Sequence, residues 1–427
     1  MTTIFRLLVC TFAFGVTPIS FAGCGGSSMP AVPVGSSVTQ LRDLSGPSYR
    51  TVYAFNLTRQ ESGRYPNGQL TAVKDVLYGT TGWGGRGSPF GNGTVYSLTS
   101  SGAEDVIYKF KGGTDGAEPN GGLIAIDGAL YGTTSAGGTG CPRSTYAGCG
   151  TVFAVTLSGR ERVIYRFKGG TDGIGPSGGL LGLGGHLYGV TSSGGTSGTC
   201  AASSGNTGCG TVFTIDTTGN ERVIYRFRGG SDGAQPNAPL LPVGEKLYGT
   251  TYLGGGVGNS CNSDCGTLFA VTTDGREKVL HRFSGGSDGA NPASGLIDID
   301  GLLYGTTSAG GINKCEVGCG TVFKATTSGA QSVIYSFKGP PDASSPDGAF
   351  VIDHHLLYGT SLSGGQSCLY WDSGTIFDVS TAGDERVDYT FPCNSVWGPT
   401  PTLLQLGKAL YGTTSFGKGG TVFAFTP

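Results

Sequence analysis

Cysteines and aspartates return at matched places along this chain, and their types and spacing could do chemistry. Cys141 with Cys149, Cys200 with Cys209, Cys261 with Cys265, and Cys315 with Cys319 stand as close pairs, and Cys368 and Cys393 remain to pair with each other. Close thiols either oxidise to disulfides or hold a soft metal. No His follows at ligand spacing and each pair supplies only two thiols, so disulfides are the expectation and no metal site is assigned. Asp115, Asp172, Asp232, Asp288 and Asp342 each lie sixteen residues before a repeated Tyr. A ring of carboxylates is a candidate binding feature, and calcium is the one cofactor it would suit. Calcium takes roughly six to eight oxygens, however, and one Asp per loop is a thin supply. An Asp capping its own turn accounts for the same residue without a ligand.

Catalytic chemistry finds less support. The letters G-x-S-x-G occur from Gly175, Gly229 and Gly285, but a nucleophile elbow needs strand, sharp turn and helix, and Thr114 and Thr171 replace the Ser in sister loops. His186, His354 and His355 fall in turns, and His281 replaces a strand Tyr. Glu161, Glu221, Glu277 and Glu385 stand beside basic neighbours and read as solvated charges. Arg166, Arg226 and Arg282 read as guards of an outer strand edge. No catalytic residue is assigned.

The elements that must position these residues are repeats. The phrase "LYG" places Tyr78, Tyr131, Tyr188, Tyr248, Tyr304, Tyr358 and Tyr411, each with a Pro twelve residues before it. A second phrase, close to "GTVF", starts at Thr94, Thr151, Thr211, Thr267, Thr321, Thr375 and Thr421. Fourteen residues after each of the first six comes a Tyr-x-Phe strand, with His281 once in place of Tyr. Runs such as "TVFAVT" and "RVIYRF" alternate at period two, so one unit reads as four antiparallel strands and the array as an all-β propeller. The seventh unit lacks a fourth strand, while "TVYAF" at 51–55 is a fourth strand without its other three. The two halves complete each other and predict a seven-bladed ring closed by an N-terminal strand over 49–427. In "LYGTT" the Tyr is expected to pack on the next blade, the Gly to admit a close backbone, and the Thr residues to favour extended chain.

The opening residues "MTTIFRLLVCTFAFGVTPISFAGCGGSS" read as a secretory signal over 1–23. Two cleavages compete: "SFA" suits ordinary signal peptidase, and "FAGC" resembles a lipobox with Cys24 as the lipidated residue. Of the 12 cysteines Cys10 leaves with the signal, and lipidation of Cys24 leaves an even ten, which favours the lipoprotein reading. Residues 24–48, rich in Ser, Gly, Pro and Val, are then a tether. The expected address is that of an exported protein, a bacterial cell-envelope lipoprotein or, under the ordinary cleavage, a freely secreted one, with the membrane met only through the lipid. A net charge of -2 with 13% charged residues supplies no basic face for nucleic acid.

Through "LYGTT..GG", "GTVF" and "GG.DG..P" the units resemble the Gloeo/Verruco (GloVer) tandem repeats of choice-of-anchor bacterial surface proteins, and in order of elements they are similar to kelch blades. The resemblance implies an exported or surface location and brings no assigned chemistry. It weakens in blade six, where "KGPPDASSPDG" interrupts the Gly-Gly loop.

From the "LYG" Tyr to the "GTVF" Thr the separations are 16, 20, 23, 19, 17, 17 and 10, so the length freedom sits in one loop per blade. Insertions confined to one face mark a binding face, or else drift where packing imposes no length. The expected function is binding of an extracellular protein or glycan by a monomer through these cysteine-bearing loops. The alternatives are a hydrolase or lyase acting on extracellular polysaccharide, with Asp115 or Asp172 recruited, and a purely structural or adhesion element.

Overall fold

A computed structural model gives the fold. It describes residues 46–427 except 58–60, 86–89, 139–140, 142–147, 196–199, 201–207, 257–263, 312–314, 369–371, 394–397, 400–401 and 416–418. The signal segment 1–23, Cys24 and the tether up to residue 45 lie outside the described residues, as does Cys261.

Seven antiparallel sheets form seven blades. Blade three shows the plan: Ile174–Leu183, His186–Ser193, Thr211–Asp216 and Glu221–Arg226 pair in chain order. Blade seven takes Leu404–Leu406, Ala409–Thr414 and Thr421–Thr426 from one end of the chain and Ser48–Ala54 from the other. In that closing strand Tyr53 pairs with Val422 and Ala54 with Thr421, and the ladder slips between Thr51 and Tyr53. The fourth strand of blade two carries the same slip between Val163 and Tyr165, opposite Phe153 and Val152. The N-terminal strand therefore reproduces the repeat down to its irregularity.

Blades meet through apolar clusters that contain the repeated Tyr. Tyr131, Val152 and Phe167 of blade two pack with Leu187, Phe213 and Ile215 of blade three. Phe391 and Tyr358 of blade six pack with Leu410, Phe423 and Phe425 of blade seven, whose Tyr411 and Val422 join Leu70, Leu77 and Tyr96 of blade one. The ring is closed, and each fully buried Phe contributes roughly 1.5–3 kcal/mol of burial.

Inside a blade the two phrases lock together. A Cβ on Gly132 would sit 2.7 Å from Cζ of Phe153, and the same conflict arises at Gly189 with Phe213. The Gly of "LYG" thus makes room for the Phe ring of "GTVF", rather than for a neighbouring backbone. The second Thr of "LYGTT" does more than favour a strand: Thr134 Oγ1 lies 2.8 Å from Thr151 Oγ1, and the pair recurs in every blade, once with Ser361. Each hydroxyl pair satisfies polar atoms that burial would otherwise leave bare.

Candidate functional site

The variable loops leave from the end of each second strand, the end at which the next element, the "GTVF" strand, begins. Their cysteines are oxidised: Cys141–Cys149, Cys200–Cys209, Cys315–Cys319 and Cys368–Cys393 are disulfides with Cα separations of 5.2 to 5.5 Å. Cys265 is disulfide-bonded as well. These bridges are consistent with an oxidising, extracellular location.

At the same end a ring emerges that sequence reading did not single out. The residue before each repeated Pro adopts a left-handed backbone: Tyr65, Glu118, Gly175, Gln235, Asn291, Ser345 and Gly398 have φ between 51° and 63°. Such a φ is disfavoured for any side chain, and the following Pro narrows the choice further. A hydrogen bond to the preceding blade holds it. The amide of Glu118 donates to Asn92 O at 2.9 Å, Gly175 to Cys149 O, Gln235 to Cys209 O, Asn291 to Cys265 O and Ser345 to Cys319 O. Tyr65 donates to Gly419 O and so carries the pattern across the closure. The backbone is constant while the side chains differ in size, polarity and charge. The usable signal was the X in X-Pro, which tolerates Gly in two blades and otherwise varies.

The five aspartates lie in the loop after each fourth strand, and each is engaged within the chain. Tyr108 Oη donates to Asp115 at 2.8 Å, Tyr165 to Asp172 at 2.9 Å, Tyr225 to Asp232 at 2.7 Å and Tyr335 to Asp342 at 2.9 Å. His281 Nε2 takes the phenol's place at Asp288, 3.1 Å away. Each aspartate also accepts a backbone N–H four residues before it, as at Lys111 and Lys168. The turn-capping role is present in every copy. Among the described residues no group of three or more His, Cys, Asp or Glu is gathered to hold a metal ion.

The glutamates correct the sequence expectation. Glu161, Glu221, Glu277 and Glu385 are half-buried against the preceding blade's Tyr and Asp rather than solvated. Loss of solvent, and then the negative Asp115, lift the Glu161 carboxyl to about 7. Loss of solvent followed by Asp172, Asp232 and Asp342 lifts Glu221, Glu277 and Glu385 to about 7 as well. Tyr108 Oη lies 3.2 Å from Glu161 and 2.8 Å from Asp115, but one phenol proton serves one bond, and below about pH 7 the proton on Glu161 supplies the other. Where His281 replaces Tyr, the glutamate place holds Gln331, a neutral side chain of the same shape. Arg166, Arg226 and Arg282 do not merely guard an edge: their Nε atoms donate to Thr114, Thr171 and Ser231 carbonyls of the preceding blade at 2.8 to 2.9 Å.

Blade one differs at its loop. Thr94 is preceded by Gly93 and Asn92, where blades two to five carry a Cys before that Gly. Arg64 pairs with Trp83 across its first two strands, where blade two pairs Ala117 with Ala136 and blade three pairs Ile174 with Ser193. Tyr65, Trp83 and Phe90 stand ring to ring, with centroids 5.1 Å and 4.9 Å apart.

Solved structures with related folds include puromycin hydrolase, at 14% identity and a TM-score of 0.49, over 83% of this chain and 50% of that one. A gluconolactonase of Xanthomonas campestris, XC5397, matches at 12% identity and 0.42 over 89% of both chains. A luciferin-regenerating enzyme matches at 12% and 0.40, over 90% of this chain and 96% of that one. The chain thus spans about half the length of the puromycin hydrolase it matches. No curated protein sequence matches it. Residues 38–202 and 199–371 match the Gloeobacter/Verrucomicrobia repeat, and with most of its length accounted for in this way the chain belongs to that repeat family.

Proposed function

We propose that the propeller is an exported binding module, anchored by lipid on Cys24, which takes an extracellular protein or glycan on its variable-loop face. One observation carries this reading: seven left-handed residues at that face share one backbone conformation and differ in side chain. A fold that only needed to close would fill such strained places with Gly throughout, since Gly adopts them at no steric cost. Keeping Tyr, Glu, Gln, Asn and Ser there costs of order 1 kcal/mol each, and that cost is explained if the side chains meet a partner. Disulfides in the adjoining loops hold the surface in shape.

The test removes the displayed groups without disturbing the frame. Glu118→Gly, Gln235→Gly and Ser345→Gly combined should fold as well as the parent or better, since Gly relieves the left-handed strain. Pull-down from envelope extracts and a glycan array should show a ligand bound by the parent and lost by the triple variant. A ligand held equally by both would remove this face from the reading. Mass spectrometry of the processed N-terminus tests the anchor: diacylglyceryl on Cys24 is expected, and an unmodified Cys24 behind a free Gly23 would exclude it.

A further inference from the structure

We infer that blade one carries a carbohydrate platform, with Trp83 and Phe90 as stacking faces for a neutral hexopyranose chain; this rests on the reading that the variable-loop face binds. Among the described residues Trp83 and Phe90 are the aromatic side chains that count as exposed, at 37% and 54%, and they stand against each other. Their planes are inclined by 36°, and the half-buried Tyr65 meets Trp83 edge-on at 83°. Solvated aromatic faces lose free energy unless something covers them. The C–H groups on one face of a pyranose are suited to covering such a ring, while its hydroxyls stay turned to water or to polar neighbours.

The backbone that carries both rings is tied down. Thr81 Oγ1 donates to Trp83 O at 2.8 Å, as Thr134 does to Ala136 O in blade two. The Phe90 carbonyl accepts from Gly84 N at 2.8 Å and from Arg64 Nη2 at 3.4 Å. Holding the backbone in this way lowers the entropy lost when a ligand arrives. Polar recognition lies alongside, because the amide of Glu118 is bonded to Asn92 O, two residues from Phe90. The Glu118 carboxyl is half-buried, and among the described residues no donor is hydrogen-bonded to it. Loss of solvent raises its pKa. A carboxyl in that state gains by accepting from, or donating to, sugar hydroxyls, and it would repel an acidic glycan.

Size separates a sugar from a protein. The two exposed ring portions present on the order of 200 Å², given aromatic side chains of roughly 150–250 Å² each. That covers one or two sugar rings, and it is about a quarter of the roughly 800 Å² per partner of a stable protein interface. The structural account of the triad, in which it replaces the missing loop disulfide, explains why Tyr65 packs on Trp83. It does not explain why Phe90 stands more than half in solvent.

The experiment titrates the full propeller with cellohexaose, mannohexaose and hexagalacturonate by calorimetry. One neutral hexasaccharide should bind, with affinity falling at least tenfold in Trp83→Ala/Phe90→Ala and staying within about threefold in Trp83→Phe; hexagalacturonate should bind more weakly. Should the double variant not fold, hydroxyl-radical oxidation of the wild-type protein, mapped by peptide mass, gives the same answer: bound oligosaccharide should protect Trp83 and Phe90. No binding of either neutral chain, or binding indifferent to both rings, overturns the platform. The pair Gln235→Gly and Ser345→Gly, which spares Glu118, separates the two ideas. Sugar binding lost there but kept in Trp83→Ala/Phe90→Ala leaves the binding face standing and sinks the platform. Sugar binding lost only in the ring variant upholds the platform and confines the site to blade one.

Discussion

Two of the blade junctions are made by a strand arriving from the far end of the chain, and they are built differently from those inside the array. At an interior junction such as that of blades two and three, Tyr165 bonds Asp172 and meets Glu221, a carboxyl lifted to about 7. At the junction of blades six and seven the closing strand puts Tyr49 in the register that Glu161 holds in blade two. Tyr49 stacks on Tyr389 with centroids 4.2 Å apart and planes within 5°, and it touches Phe391 and Phe423 as well. On the other side Tyr53 donates to Glu104 Oε2 at 3.1 Å, and Arg50 Nη2 reaches Ser100 O much as Arg162 Nη2 reaches Thr217 O. Seven residues after these tyrosines, where interior blades carry Asp, stand Val396 and Gln60. The closing strand must be held without the help of short loops, and on its blade-six side it replaces a titrating carboxyl pair by an aromatic stack while on its blade-one side Tyr53 keeps a carboxyl partner in Glu104. At the junction of blades six and seven the tyrosine contact is therefore free of a glutamate, whereas four of the five interior junctions carry one lifted to about 7.

Removing the closing strand should have the largest effect. Deletion of residues 48–55 withdraws Tyr49, Tyr53 and Phe55 and exposes the edge of Thr426 to Thr421. By analogy with large-to-small core changes, each of roughly 3–5 kcal/mol for a buried aromatic, the loss should reach several kcal/mol. Melting and light scattering should show an opened or aggregating protein. A truncated protein that melts with the parent would break the comparison at its root. Next comes Tyr49→Glu, which writes interior chemistry into the closure without its Asp. It should cost about 2 kcal/mol at pH 8, from a lost stack and a carboxylate set against Tyr389, and part of that should return at pH 5.

How much of this was legible depended on where each residue's partner lies in the chain. The Pro-to-Tyr spacing and the Tyr-x-Phe strands reflect pairing inside one blade, and fixed local distances made blades, closure and loop disulfides readable. Glu161 was misread because its partners, Tyr108 and Asp115, belong to the preceding blade, while its neighbours Arg160 and Arg162 suggested solvent. The Gly of "LYG" was assigned to a backbone contact because nothing in its own phrase announces the ring of Phe153. The left-handed ring escaped for a third reason. Its positions vary in residue type, and variation hides a constraint that acts on the backbone alone.

The interior junctions should then show their own pH dependence. A Glu with a folded pKa of about 7 and an ordinary value of 4.5 binds its proton more tightly in the folded state. Its contribution to stability is fully present below pH 4.5 and is lost as pH rises through 7. After discounting for the half-exposed positions, the loss is on the order of 1 kcal/mol per junction. Glu161→Gln, Glu221→Gln, Glu277→Gln and Glu385→Gln combined should leave stability at pH 4.5 unchanged and raise it at pH 8. Urea midpoints at the two pH values measure this. Equal shifts at both would mean that the carboxyls are ionised throughout.

The smallest effect tests the one interior junction that already lacks the carboxyl pair. Between blades four and five, His281 bonds Asp288 and Gln331 holds the place of Glu. Burial works against the Asp288 carboxylate, but the hydrogen bond and charge of His281 and the bonds from Ser284 hold its pKa below the ordinary 3.8. Its contribution is present above pH 3.8 and is lost as pH falls through the lower folded value, the opposite sense to the glutamates. His281→Tyr alone should leave Asp288 with a phenol donor and a neutral amide beside it, a combination no other described junction shows. Adding Gln331→Glu recreates the common junction. The double variant should gain the alkaline loss of the other four, on the order of 1 kcal/mol between pH 5 and pH 8. The single variant should not, because Gln331 carries no proton to lose. A double-mutant cycle at the two pH values isolates the coupling. If it is the same at both, the exchange of Tyr for His and Glu for Gln at this junction is a matter of shape, and the contrast in charge between the junctions is not what holds the blades.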